Sequence, residues 1–198
     1  GKPAKGGAKL PSLADGGRRL DDLDLAIGGV RAKGAAALAA SGLVDGKITI
    51  AASNLADLSA LILTDIAGRL DATVVLDASN GAQRVAVDAK AEGVEVAGNR
   101  VDRADINARI VDLSGTPVID GKAVLAGVRA GGQVIESATV TAKSAGTATD
   151  VTLDTALLGS SINAKARIAP AGGDTNIRLD ALKIARAGTN VTLSAPAN

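Results

Sequence analysis

The sequence of 198 residues contains no phenylalanine, tryptophan, tyrosine, methionine, cysteine or histidine. Each absence removes a class of chemistry. Without His and Cys there is no thiol nucleophile, no Cys/His zinc site, no haem ligation and no Ser-His-Asp triad. Without aromatic rings there is no platform for stacking single-stranded nucleic acid, and a formal net charge of +1 offers no phosphate-binding surface. The expectation is a protein with no cofactor, no metal and no nucleic-acid partner. Missing cysteine is compatible with an oxidising space but does not require one. No apolar run reaches the roughly 18 residues of a membrane-spanning helix, and no signal-peptide pattern is present. The chain does not open on Met, so it is expected to be an internal or terminal piece of a longer protein, with any anchor or export signal outside it.

What remains is aliphatic. Hydrophobic residues make up 46% of the chain and are only Ala, Val, Ile and Leu. Aromatic side chains normally anchor cores and interfaces because they bury the most area. A chain of this length without them has either a thin core between two sheets or apolar surface reserved for another purpose.

Between Gly98 and Gly146 apolar and polar residues alternate with a period of two, break at a Gly or Pro turn, and resume. Ala104, Ile106, Ala108 and Ile110 fall on one side, with Arg103, Asp105, Asn107 and Arg109 on the other, the mark of a strand with one dry and one wet face. Gly115-Thr116-Pro117 cannot continue a central strand, so a new one starts at Val118. After the turn in Val128–Gly132, the residues Val134, Glu136, Ala138, Val140 and Ala142 start the next alternation.

The rest of the chain follows this plan. Gly1–Gly17 is rich in Gly, Lys and Pro and reads as a linker or frayed end, so residues 1–19 are set apart from one β-rich domain over 20–198. Strand patterns cover Leu20–Ile27 and Leu43–Ala52; Val30–Ala40 suits a strand or, through its AAALAA, a helix. Asn54–Ile66 reads as the one helix, with Leu55, Leu58, Leu61, Ile62 and Ile66 at three- and four-residue spacing, Asn54 as cap, Asp57 favouring the dipole and Gly68 as stop. It is read as a core plug or sheet cover, since it has no basic face for a membrane surface.

From Arg69 strands run almost without interruption. Leu70, Ala72, Val74, Leu76 and Ala78 share a face; Ser79-Asn80-Gly81 supplies a hairpin turn; Val85, Val87, Ala89 and Ala91 return. Further strands fall at Ala148–Ala156, Ser161–Ala169 (Ile162, Ala164, Ala166 and Ile168 in register), Thr175–Ile184 after a turn at Pro170–Gly173, and Asn190–Ser194. Arg-Leu-Asp recurs from Arg19, Arg69 and Arg178. The fold class is mostly β, a long antiparallel up-and-down meander of about a dozen strands, with one short helix near residues 54–66.

Candidate chemistry is sparse. Asp21, Asp22 and Asp24, and Asp102 and Asp105, are the acid groupings a glycosidase would need across a cleft, but they lie among Arg and Lys on polar strand faces, where cross-strand ion pairs are ordinary. The stretch from Gly172 to Asp180 loosely matches the calcium-binding nonapeptide of parallel β-rolls, once and without its further Gly. Gly28-Gly29, Gly131-Gly132 and Gly172-Gly173 are not followed by βα units, so they read as turns and not dinucleotide loops. Ser41, Ser160 and Ser161 have no histidine base; a Lys-activated serine stays open on composition alone.

The runs ASNLADLSALILTDIAGRLDATVVLDAS, RADINARIVDLSGTPVIDGKAVLAGVRAGG and ATDVTLDTALLGSSINAKARI, closed by GTNVTLSAPAN with its G-x-x-V-x-L-x-x-P-A turn, resemble the C-terminal half of the TamB family of AsmA-like proteins. The resemblance covers Leu43 to Asn198 and rests on the order of the motifs; Gly1 to Ala40 match only in general character. It implies a long sheet folded over like a taco, lined with aliphatic side chains and standing in the periplasm from an inner-membrane anchor outside this segment. It also implies the family's roles: passing phospholipids between the two membranes and, with a TamA-like outer-membrane partner, assisting the assembly of autotransporters and other outer-membrane proteins. No catalytic residue is required.

Alternation then nominates the lining of such a groove for phospholipid acyl chains: Leu70, Val74, Leu76, Val85, Val87, Ile106, Ile110, Val140, Ile162 and Ile168. Two other readings remain: a repetitive structural β-solenoid or adhesin-type segment with a closed dry core, and an enzyme on a β-scaffold, which would need a pocket of convergent polar groups.

Overall fold

The computed structural model describes residues 2–78, 81–113, 115–171 and 174–197. Thirteen strands form one sheet in which every strand pairs only with its sequence neighbours, all antiparallel. They are β1 (Ala4–Lys9), β2 (Arg18–Ile27), β3 (Val30–Leu38), β4 (Val44–Ala52), β5 (Ile66–Asp77), β6 (Arg84–Val96), β7 (Asn99–Val111), β8 (Val118–Ala130), β9 (Gln133–Ala145), β10 (Ala148–Leu157), β11 (Ser160–Ala171), β12 (Asp174–Arg186) and β13 (Thr189–Thr192). The sheet is open, with β1 at one edge and β13 at the other. The longest strands have 13 residues, roughly 43 Å.

The order follows from the loops. On the rim joining β2–β3, β6–β7, β8–β9, β10–β11 and β12–β13, each connection is two residues long, too short for anything but an antiparallel hairpin. Ala97-Gly98, Gly131-Gly132, Leu158-Gly159 and Ala187-Gly188 have both residues at positive φ, the twist-matched hairpin geometry. The sixth connection on that rim, β4–β5, differs. It is residues 53–65 and carries a 3-10 turn (Leu55–Leu58) that runs straight into α1 (Ser59–Ile62).

This helix is shorter than the expected Asn54–Ile66. Asn54 does cap it, its side chain accepting the Ala56 N–H at 3.2 Å, but Leu63 takes the left-handed conformation and stops it. Ile66 already belongs to β5, and Gly68 lies inside that strand. Leu55 is buried against Val30 and Ala52, with Leu58, Ile66, Leu70 and Val94 packed around them. Leu61, Ile62 and Leu63 point away and are exposed, so only the first half of the helical pattern covers the sheet.

Two other expectations are corrected, and one open choice is settled. Residues 1–19 are not a linker throughout: Ala4–Lys9 is the edge strand β1, paired with β2. Val30–Leu38 is a strand, its Ala-rich run held between β2 and β4 and so overriding helix propensity. In β9 the face carrying Ala138, Val140 and Ala142 does not extend to Val134: an extra residue, Glu136, shifts the phase, so Ile135 pairs with Val128 and Leu157 while Val134 is exposed beside Arg129. The turn residues Ser79-Asn80 and Gly172-Gly173 lie outside the described residues.

Burial is thin. Only Val30, Ala52, Leu55, Ala104 and Ala138 are buried hydrophobics among the described residues, and no polar side chain is buried. The accessible surface is 12065 Å². A compact monomer of 19.4 kDa exposes roughly 8,500 Å², so about 3,500 Å² stays open that a globular domain would close.

Candidate functional site

Register converts the alternation of single strands into rows that cross the sheet. One row runs Leu25, Ala32, Ile50, Ala72, Ala89, Ile106, Ala123, Val140, Leu153, Ala164, Leu182. Beside it lies Leu23, Gly34, Ile48, Val74, Val87, Ala108, Gly121, Ala142, Val151, Ala166, Leu179. Neither row contains a polar side chain. Since directly opposed residues in an antiparallel sheet share a face, these rows make one aliphatic surface from β2 to β12.

Two further rows flank them. Toward the helix rim run Ile27, Val30, Ala52, Leu70, Ala91, Ala104, Leu125, Ala138, then Thr155, Ile162 and Ile184. Toward the opposite rim run Leu20, Ala36, Gly46, Leu76, Val85, Ile110 and Ile119, with Ile168 and Ile177 beyond a polar break at Ser144 and Thr149. All ten nominated residues therefore stand on one face: Ile106 and Val140 in the first row, Val74 and Val87 in the second, Leu70 and Ile162 in the third, and Leu76, Val85, Ile110 and Ile168 in the fourth. Most are half-buried; Ile106 is 37% exposed, so the centre of the face is uncovered.

Alternation missed part of this surface. Val94, Val101, Val128 and Ile135 continue it past a line of extra residues, Gly93, Asp102, Gly127 and Glu136, that crosses β6 to β9. The spacing there is three, as in Ala91 to Val94, and a strict period of two places these side chains on the wrong side. The signal for one such irregularity is the glycine within each of β6 and β8.

The helix is fastened to this rim by polar contacts at both ends: Ser59 Oγ bonds the Ile66 backbone of β5, and an aspartate ties the 3-10 turn to the β2–β3 hairpin. Asp57 accepts the Gly29 N–H at 2.6 Å, holding the 3-10 turn over the β2–β3 hairpin. The carboxylate thus acts on a turn of another hairpin, a contact that helix-dipole reasoning did not anticipate.

The opposite face is charged and neutralised in place. Lys33 pairs with Asp24 at 3.0 Å and Lys90 with Asp105 at 3.5 Å. Arg167 grips Asp150 through Nε and Nη2 at 2.7 and 3.0 Å. The acid groupings behave likewise: Asp21 takes Arg19 at 2.8 Å, Asp22 takes Lys9 at 2.8 Å, and Asp102 takes Arg100 at 2.7 Å. Hydrogen bonds from Arg100 and Arg167 hold the carboxyls of Asp102 and Asp150 below the usual carboxylate range, and Lys9 does the same to Asp22. These acids stay ionised and point to solvent, unlike a protonated catalytic acid. Among the described residues no group of three or more metal-ligating side chains converges, and the cleft at Ser160 and Ser161 has no Lys in its lining.

No helix among the described residues is long and apolar enough to cross a membrane. Compared with family models, curated proteins and solved structures, the chain matches none.

Proposed function

We propose that this chain is a periplasmic envelope-biogenesis segment of the TamB type, whose aliphatic face carries the acyl chains of phospholipids between inner and outer membranes. The observation that carries the reading is the pair of unbroken aliphatic rows spanning β2 to β12 with no second sheet packed on them. An open sheet of more than about 10 strands curls, splits or flattens. Curling toward the aliphatic side would form the taco-shaped groove that the family resemblance implies. The burial of alanine favours that side as concave: Ala52, Ala104 and Ala138 of the aliphatic face are buried, whereas Ala35, Ala51, Ala67 and Ala181 of the charged face are exposed.

The energetics suit transport. Each methylene withdrawn from water contributes about 0.8 kcal/mol, and without hydrogen-bonding groups in the two central rows a chain is held yet slides between equivalent positions. No catalytic group is called for. Assistance in outer-membrane protein assembly, with a TamA-like partner, belongs to the same reading. The closed-core solenoid is less well supported, because the strands are antiparallel neighbours in an open sheet and leave roughly 3,500 Å² of surplus surface.

Native mass spectrometry of the purified chain, with extraction of bound lipid, tests this. Co-purified phospholipid that is lost in Ile106→Asp and Val140→Asp is the expected result. A lipid-free wild-type chain that folds cooperatively as a monomer would move the assignment to a structural role.

A further inference from the structure

Apart from the lone Thr155 in the third row, whose hydroxyl is taken by the Ser137 carbonyl, the aliphatic face changes chemistry at one place. On the rim away from the helix, between β8 and β12, the fourth row passes from Ile119 through Ser144 and Thr149 before returning to Ile168. All of these but Ser144, which stands behind Thr149, border a cleft of about 340 Å³ whose lining includes Pro117, Ile119, Thr147, Thr149, Ile168 and Thr175. None of its lining residues is charged. Other clefts along the sheet differ: those at Lys5, Asp22 and Arg31 and at Asp71, Lys90 and Asp105 lie on the charged face, where ions already pair.

The hydrogen-bond inventory of this cleft is open on one side. Ser144 Oγ accepts the Ile119 N–H at 2.9 Å and shares a 2.8 Å contact with Thr149 Oγ1. That contact uses one of the two hydroxyl protons, whichever residue donates it. Ser144 Oγ already accepts from Ile119, so the cooperative arrangement has it donate onward to Thr149, whose own proton then remains for an acceptor in the cleft. Thr116, Thr147 and Thr175 add three more hydroxyls to the lining, and Pro117 and Pro170 bring no competing N–H. Donors without a cation suit a neutral oxygen acceptor; a bare phosphate would call for Arg or Lys.

We propose that this cleft receives the uncharged ester or glycerol oxygens of an acylated lipid whose hydrocarbon lies along the aliphatic rows. The proposal rests on the lipid-carrying reading above and adds a fixed register to it. A lipid would pause where Thr149 meets its ester and slide elsewhere, which makes β8–β12 a station on the path.

The test compares two probes that share a hydrocarbon chain, 1-monooleoylglycerol and 1-octadecene, by displacement of bound diphenylhexatriene. Thr149→Val removes the hydroxyl at nearly constant shape. The expected result is that monooleoylglycerol displaces the dye about 3- to 10-fold less well from the variant while octadecene is unaffected. The double variant Thr147→Val/Thr175→Val, altered only at the cleft mouth, should show the same selective loss and covers the case in which Thr149→Val disturbs β9–β10 pairing. If both variants treat the two probes as wild type does, or weaken them equally, the ester site is overturned and the aliphatic path stands. If the wild-type chain takes up neither probe, the lipid-carrying reading fails and the ester site with it.

Discussion

The carboxylate of Asp102 occupies the space in which Gly127, its neighbour on β8, would hold a Cβ. Gly127 has a φ of +61°, so two independent constraints select glycine there. From that position Asp102 reaches both Arg100 at 2.7 Å and Arg129 at 3.6 Å, two like charges placed directly opposite each other in the β7–β8 register. Asp102 is thus the counter-ion that lets the two arginines stand side by side. The line of extra residues crosses the sheet at this point.

Gly127→Ala is expected to destabilise the chain by about 1–3 kcal/mol, the sum of the left-handed backbone cost and the displaced carboxylate. Combining it with Asp102→Ala should recover part of the loss, since the carboxylate is then gone and only the close contact with the residue-102 Cβ remains. A urea-denaturation double-mutant cycle reads the coupling. Strict additivity of the two changes would show that the carboxylate does not occupy that space.

Acid should loosen the charged face. The folded-state values of Asp102 and Asp150 lie below their unfolded ones, because Arg100 and Arg167 hydrogen-bond to the ionised forms. Their contribution is therefore complete above the unfolded value, near pH 4, and fades as pH falls through the folded value. Both groups face solvent, so the effect is small and weakens further with salt. Denaturation midpoints from pH 7 to pH 2 should fall on the acid side, and Asp150→Asn should flatten that fall while lowering the plateau at neutral pH.

Two leucines stand in left-handed backbone with most of their surface in water: Leu63, 90% exposed at the helix end, and Leu158, 60% exposed in the β10–β11 turn. Asn tolerates this geometry, and Asn-Gly is the preferred pair for the turn at Leu158-Gly159. Leu63→Asn and Leu158→Asn should each stabilise by about 0.5–1 kcal/mol, visible as a raised Tm. A lowered Tm would mean that these leucines are covered in solution.

Asp57→Ala removes the acceptor for the Gly29 N–H and should free the helix from the β2–β3 hairpin. The expected cost is about 1–3 kcal/mol, with faster hydrogen exchange at Gly29 and across Leu55–Ile62. Asp65→Ala, two turns of chain further on and exposed, is the control that should leave exchange unchanged. Equal exchange in both variants would show that Leu55 packing and the Ser59–Ile66 hydrogen bonds secure the helix without Asp57.

Much of the sheet was readable from the order of residues because alternation and tight turns are local signals. The strand from Leu70 to Leu76 and its partner from Val85 to Ala91 have the predicted faces, and the five two-residue connections of the helix rim announce their neighbours. What failed was non-local. Asn54–Ile66 has helical spacing throughout, yet only Leu55 and Leu58 find a sheet beneath them, so Leu61 gains nothing by continuing the helix. Ile135 and Val134 exchange faces because Glu136 is one residue too many against β10, while β8 matches it with Gly127, an event not fixed by β9 itself. Ala4–Lys9 has no hydrophobic pattern at all and is a strand only because β2 offers it an edge. For the candidate site, alternation supplied the face and ten of its residues, while the hydroxyl break at Ser144 and Thr149 becomes visible only once four strands are laid side by side.

Pairing restricted to successive strands has a mechanical consequence. No contact between strands needs distant parts of the chain to meet first, so ordering can proceed hairpin by hairpin from any starting point, like a zip, with only short loops to close. The same restriction makes length an adjustable quantity. Deleting or duplicating an antiparallel pair in the middle would shorten or lengthen the strip by about 10 Å while changing the partner only of the two strands at the join. A molecule built this way resembles a measured tape more than a globule, and the distance it spans is set by how many times the hairpin is repeated.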